Sequence, residues 1–293
     1  MQSIGDIKRR ISAITKTRKI TNAMYLLSAS KIRKVTERIA VTKQYLDMLH
    51  RSVMDIIEKS HDIEHRYLHH RDGNRTAFIV IAADKGMAGG YNRNILQFAH
   101  ETIKNYDIIS LLTVGNYANR YFTRQGYIVD VDFRNAIADP TMFVAREIAY
   151  DVLSLYDNDL MDEVRVIYTR FDGANKQVCA DYKLLPISLE DFEGVESDMV
   201  SGDMIYHPSM QELFDRLIPE YIIGMLYGSM MHAFACENNA RMIAMKNSTD
   251  NADEMLKNLN LEYNRARQNE ITAEISEIVG ASEALRREDS NGL

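Results

Sequence analysis

A seven-residue rhythm of apolar side chains at each end of the chain constrains its fold more than any other feature. Counting in sevens from Ile4 gives one row of Ile4, Ile11, Arg18, Tyr25, Ile32, Ile39, Leu46 and Val53. A second row holds Ile7, Ile14, Thr21, Ser28, Val35, Thr42, Leu49 and Ile56. Twelve of these sixteen positions are apolar, which defines a coiled-coil seam. Ser3 and Asp6 offer an N-cap, and neither Pro nor Gly follows until Gly73, so a helix over 1–66 is expected. At about 1.5 Å per residue, such a helix is a rod of roughly 80 Å over residues 4–56. A second seam runs through Met242, Met245, Thr249, Ala252, Leu256, Leu259, Tyr263 and Ala266, then slips by one position to Ile271, Ile275 and Ile278. Pro208, Ser209 and Glu212 mark its start, and Pro219 is expected to break or restart the helix within 209–293. Two such helices suggest an antiparallel pair, its register set by the polar seam residues Arg18, Thr21, Ser28, Asn238 and Thr249.

Between the seams the pattern changes. Strands are expected at 76–83, 108–114, 127–133, 164–171 and 177–188, with helices at 92–105, 115–125 and 140–156. Short β-branched strands alternating with amphipathic helices imply a doubly wound, Rossmann-like α/β domain over 74–188. Residues 189–208, acidic and glycine-containing, read as a linker. Only four prolines and fourteen glycines in 293 residues fit this helix-rich α/β reading. Two cysteines, Cys179 and Cys236, exclude a disulfide scaffold and suit buried thiols in a reducing compartment.

The charge is uneven. Residues 1–40 carry ten Lys and Arg against Asp6 and Glu37, whereas 187–220 carry nine acids against Arg216, within a net charge of −7. A basic helix suits nucleic acid, an anionic surface, an acidic protein partner or plain solvent. The acidic C-terminal helix, with few exposed aromatics for stacking, ranks RNA last.

Three motifs invite chemistry. Asp84-Lys-Gly-Met-Ala-Gly-Gly follows the first central strand, where α/β folds bind phosphate, but it lacks G-x-G-x-x-G and G-K-[ST] spacing. Its glycines more simply permit a tight strand-to-helix turn, and nucleotide binding stays as the alternative reading. His61-Asp-Ile-Glu64-His65 matches the inverted zinc-protease motif, with His69 in phase, yet it closes a helix where solvated side chains are expected. Asn247-Ser-Thr249 is a glycosylation sequon in mid-helix, where it is inert. No nucleophile, acid–base pair, metal set or cofactor motif emerges, so the expectation is a non-enzymatic chain without metal or cofactor.

The terminal helices are specific in detail. Lys8-Arg-Arg-Ile-Ser, Thr17-Arg-Lys-Ile-Thr-Asn-Ala-Met24 and Ser28-Ala-Ser-Lys31 resemble the first helix of the gamma subunit of F-type ATP synthases. Glu237-Asn-Asn-Ala-Arg241-Met-Ile-Ala-Met245, Thr249-Asp-Asn251, Tyr263-Asn264, Arg267-Gln268, Ile271-Thr272 and Glu277-Ile-Val-Gly280-Ala resemble its last. The 84–90 loop is similar too, with Ala88 where the family often has Cys. The resemblance implies a central rotary shaft: an antiparallel coiled coil inside a ring of alternating alpha and beta subunits, with the α/β domain on the epsilon subunit and the membrane c-ring. It implies that Arg267 and Gln268 form a catch on a beta-subunit loop. It places Met24, Lys31 and Arg241 near acidic levers of beta, and Ile271, Ile275, Ile278, Val279, Ala281 and Leu285 in an apolar sleeve. With no leader at Met1, a bacterial chain at the cytoplasmic face of the inner membrane is expected, peripheral through its complex.

Overall fold

A computed structural model describes residues 3–59, 65–71, 73–173, 176–188 and 210–291. In chain order these form α1 (Ile4–Lys59), β1 (Arg75–Ile81), α2 (Tyr91–Ile103), β2 (Ile108–Val114), α3 (Asn116–Arg124), β3 (Val131–Phe133), α4 (Met142–Asp157), β4 (Glu163–Phe171), β5 (Gln177–Leu185) and α5 (Met210–Asn291). The chain divides into two compact units, one of residues 1–26 with 243–293 and one of residues 27–242. The division cuts across both long helices rather than falling at 66 and 209.

The first unit pairs the outer parts of α1 and α5. Ser3 caps α1 through its Oγ, which accepts the Asp6 N–H at 3.2 Å and donates to the Asp6 carboxylate. The Lys8 ammonium lies 5.5 Å from the Tyr263 ring centre, and Arg18 pairs with Asp253. Ten residues up one helix match ten residues down the other, so the helices are antiparallel. Between Met245 and Ala266 only the seven seam positions escape full exposure, and Ile7, Thr21, Met245, Ala252 and Leu259 are buried. Thr21 and Thr249 meet across the seam with their hydroxyl oxygens 2.7 Å apart, so these two interruptions of the apolar rows face each other. Every described residue from Arg267 to Gly280 is exposed.

The second unit is built on a five-stranded sheet of order β3-β2-β1-β4-β5, parallel except for β4 against β5. β1 sits at its centre, and its residues alternate between faces as the pleat requires. Phe78, Val80 and Ala82 join Ile95, Leu96 and Ala99 of α2 and Ala118 and Phe122 of α3. Ala77, Ile79 and Ile81 face the opposite layer, where Ile148 and Val152 of α4, Val53 of α1 and Ile222 and Met230 of α5 close the larger core. Both faces of β1 are therefore covered, which explains its unbroken apolar run. At the turn from β2 to α3, Gly115 has φ +100°, and a Cβ there would stand 2.1 Å from the Ala82 carbonyl oxygen, so the turn tolerates only glycine.

Three expectations need correction. Helix does not reach residue 66: α1 ends at Lys59, and residues 66–68 form a turn closed by the Leu68 N–H on the His65 carbonyl. Pro219 does not interrupt α5. It removes one backbone donor, but Phe214, Ile218, Tyr221, Ile222 and Ile223 on either side are buried in the core. Burying such side chains is worth about 1.5–3 kcal/mol each, which outweighs one lost hydrogen bond. The 127–133 strand is confined to 131–133, since the Asp130 carboxylate turns the chain inward to accept from Ser110 Oγ and the Leu111 N–H, both at 2.8 Å. The linker 189–208, with Ser209, lies outside the described residues.

Candidate functional site

In a sheet of this order, the strands are added first to one side of β1 and then to the other, and a ligand would enter between the loops that follow β1 and β4. Here α5 fills that place. Ser229, His232 and Cys236 recur at helical spacing on its sheet-facing side, and Arg241 follows one turn and more beyond them. Ser229 Oγ lies 3.1 Å from the Tyr182 hydroxyl on β5. His232 Nδ1 accepts the Phe171 N–H at 3.2 Å, and Cys236 Sγ donates to the Thr169 carbonyl at 3.6 Å, both at the end of β4. Ala83, Ala88 and Tyr91 pack around Cys236 as a small apolar cluster.

Arg241 completes the closure. Its guanidinium donates to the carbonyl of Gly86 at 3.1 Å, to that of Lys85 at 3.3 Å and to the Glu237 carboxylate at 2.5 Å. The backbone carbonyls of the 84–90 loop thus hold a cation of the chain itself. The loop is rooted by Asp84, whose Oδ1 accepts from the Asn116 N–H at 3.0 Å, Asn116 Nδ2 at 3.1 Å and the Asn135 N–H at 3.0 Å. One carboxylate oxygen so ties together the loops after β1, β2 and β3. Burial pushes the Glu237 carboxyl above its ordinary range, the Arg241 guanidinium opposes this, and the charge of Asp84 adds to the rise.

The expected contact residues are placed as follows. Met24 is half-buried in the paired-helix unit. Lys31 is exposed, its ammonium 5.3 Å from the Phe234 ring centre. Arg241 is only 9% exposed and is engaged within the chain. Arg267 and Gln268 are exposed on α5. Ile271, Ile275, Ile278 and Val279 are between 45% and 68% exposed, an apolar stretch of α5. Ala281 and Leu285 lie on α5, and their side chains are outside the described set.

The remaining motifs carry structure. His61 and Glu64 lie outside the described residues. His65, expected to be solvated, is buried: its Nε2 lies 2.8 Å from Asp215 Oδ1, and its Nδ1 accepts the Tyr67 N–H at 3.3 Å. Among the described residues no three His, Cys, Asp or Glu side chains gather as a metal set. Sequence reasoning missed the internal role of Glu237 and Arg241. The available signal was their i, i+4 spacing on a stretch of helix otherwise rich in Ala and Met.

An α/β domain whose ligand crevice is plugged by its own helix, in a chain whose ends pair as antiparallel helices, defines a mechanical subunit. Family comparison agrees. The ATP synthase family model matches residues 3–285. The ATP synthase gamma chain of Ruminiclostridium cellulolyticum is 44% identical over 97% of this chain and 99% of its own length. The sodium-ion-specific gamma chain of Acetobacterium woodii is 36% identical, with 97% and 99% covered. A chain in the cryo-EM structure of the Euglena gracilis mitochondrial ATP synthase (OSCP/F1/c-ring, rotational state 3) shares the fold. It has a TM-score of 0.71 at 19% identity, over 99% of this chain and 97% of that one. The chain belongs to the ATP synthase gamma-chain family.

Proposed function

We propose that this chain is the central rotary shaft of an F-type ATP synthase, turned by an ion-driven c-ring and cycling the catalytic beta subunits through ATP synthesis. The observation that carries the reading is the paired-helix unit: its seam is satisfied internally, yet Ile20, Leu26, Ile243, Met255 and Leu261 stay 46–61% exposed outside it. Apolar side chains kept outside a completed seam suit a surrounding protein surface. A ring of alternating alpha and beta subunits is that surface, with the epsilon subunit and the c-ring engaging the rest of the chain.

Symmetry supplies the mechanism. Three equivalent catalytic sites behave alike unless an asymmetric object stands among them. Moving one site from 1:99 to 99:1 between two states needs about 5.5 kcal/mol of differential contact, which a stiff helix pair can deliver. The shaft needs no catalytic group, metal or cofactor of its own. Arg267 and Gln268, exposed and polar, would form the catch on a beta loop. Met24 and Lys31 would meet acidic levers of beta, and Arg241 would serve that contact indirectly, by holding the 84–90 loop. Ile271, Ile275, Ile278 and Val279, with Ala281 and Leu285 beyond them, would turn in an apolar sleeve. No helix among the described residues is long and apolar enough to cross a membrane, so attachment would run through the complex, at the cytoplasmic face of a bacterial inner membrane.

The test is reconstitution. The tagged chain, mixed with alpha and beta subunits, should yield a complex in which ATP drives rotation of a bead fixed to the α/β domain. Recovery of the chain alone, or a ring whose hydrolysis and bead are indifferent to its presence, refutes the reading.

A further inference from the structure

Torque that enters through the α/β domain has to reach α5 before it can reach the ring, and the structure offers a specific place for that transfer. We infer that Glu237 and Arg241, gripped by the loop that Asp84 roots, form the joint that locks α5 to the sheet edge against twisting under load; this inference rests on the shaft reading above.

Of the polar ties between α5 and the sheet domain described here, the Arg241 tie is the most C-terminal, and α5 continues beyond it as unbroken helix to Asn291. A rod twisted in a socket loads the rim of the socket most, and Arg241 stands at the rim. The other ties are single contacts: a tyrosine–serine pair, a histidine accepting one N–H, a thiol donor, the Gln177 amide donating to the Cys236 carbonyl at 3.5 Å, and a solvent-exposed ion pair of Arg146 with Glu220 at 3.7 Å. The rim tie is charge-assisted and forked: one guanidinium reaches two loop carbonyls, those of Lys85 and Gly86, while Glu237 on the same helix takes its third contact. A rigid planar donor set resists rotation about its own axis in a way that a single bond does not. The loop it holds cannot yield independently, because the Asp84 carboxylate fixes it to the starts of two other loops, at Asn116 and Asn135. Load applied to the guanidinium is therefore spread over the ends of β1, β2 and β3. Glu237, itself 5% exposed, cancels the buried positive charge, so the joint can sit in a dry place without drawing water into the crevice. A cation needed only for solubility would lie on the surface, where Lys31 and Lys34 are.

The experiment uses the whole enzyme in membrane vesicles. ATP hydrolysis is measured with the ion gradient collapsed, and ion pumping is measured with the gradient building. In Arg241→Gln the fork is lost. Ions accumulated per ATP hydrolysed are expected to fall about threefold or more relative to the unaltered enzyme, since a lost charge-assisted bond is felt most under load. Arg241→Lys keeps the charge but not the fork and should fall between Arg241→Gln and the unaltered enzyme. Should Arg241→Gln fail to assemble, Arg241→Lys and Glu237→Gln carry the same comparison. Pumping and hydrolysis falling in equal proportion, or pumping unchanged in every variant, overturns the joint. If even the unaltered chain does not join an ATP-hydrolysing ring, the shaft reading itself fails.

Discussion

The Thr21–Thr249 contact allows the register of the helix pair to be tested by free energy. Three short contacts converge on two hydroxyls: Thr21 Oγ1 to the Arg18 carbonyl at 3.1 Å, Thr249 Oγ1 to the Met245 carbonyl at 2.9 Å, and the two oxygens to each other at 2.7 Å. Two protons cannot serve three acceptors, so one hydroxyl donates across the seam and the other to its own helix. Thr21→Val removes the cross-helix bond but leaves Thr249 satisfied by Met245, so the loss should be about 1 kcal/mol, partly offset by the added methyl. Thr249→Val should cost the same or less, because Thr249 is more exposed. Replacing both hydroxyls by methyl groups of equal shape should be nearly neutral, so the two single losses together give a coupling of up to about 2 kcal/mol in a double-mutant cycle. The assay is urea unfolding of the full chain followed by helical circular dichroism for the four proteins. The paired valines should also relax register, visible as altered cross-linking between cysteines placed at positions 14 and 256. Strictly additive losses, with cross-linking unchanged, would refute the view that this polar pair sets alignment.

Other consequences follow from packing and titration. Gly224 lies where a Cβ would stand 2.8 Å from Leu46 Cδ2, so Gly224→Val should cost about 1–3 kcal/mol by overpacking, and Leu46→Ala alongside it should restore part of the loss in thermal melts. Burial lowers the pKa of His65, His100 and His232 below their ordinary 6.5, so the unfolded chain binds more protons there; stability should be constant above that value and fall as pH drops through and below it. His65→Gln should flatten that slope by up to about one proton in denaturant midpoints taken between pH 7 and 5. Arg267→Ala, on an exposed stretch of α5, should leave melting unchanged and lower ATP synthesis in the assembled enzyme; unaltered synthesis would remove the catch.

What the sequence revealed and what it concealed divide along the range of the forces involved. Periodicity is local, and it located both seams and every strand of the sheet, with β2 matching its expected span of 108–114. The polar interruptions were legible for the same reason: Thr21 and Thr249 break apolar rows, and a break in a row demands a counterpart. Pro219 was misjudged because its local penalty is fixed, whereas the burial of Phe214, Ile218 and Ile222 that overrides it depends on elements distant in sequence. His65 was misjudged likewise, since its partner Asp215 is 150 positions away. The grip on Arg241 lay furthest from view. Its acceptors are main-chain carbonyls, which no residue identity announces, and they are brought to the helix by a glycine-rich loop that resembles a phosphate cradle. A loop of that kind after a central β-strand ordinarily presents N–H groups to an anion. Here it presents carbonyls to a cation, and that reversal of polarity converts a ligand site into an anchorage.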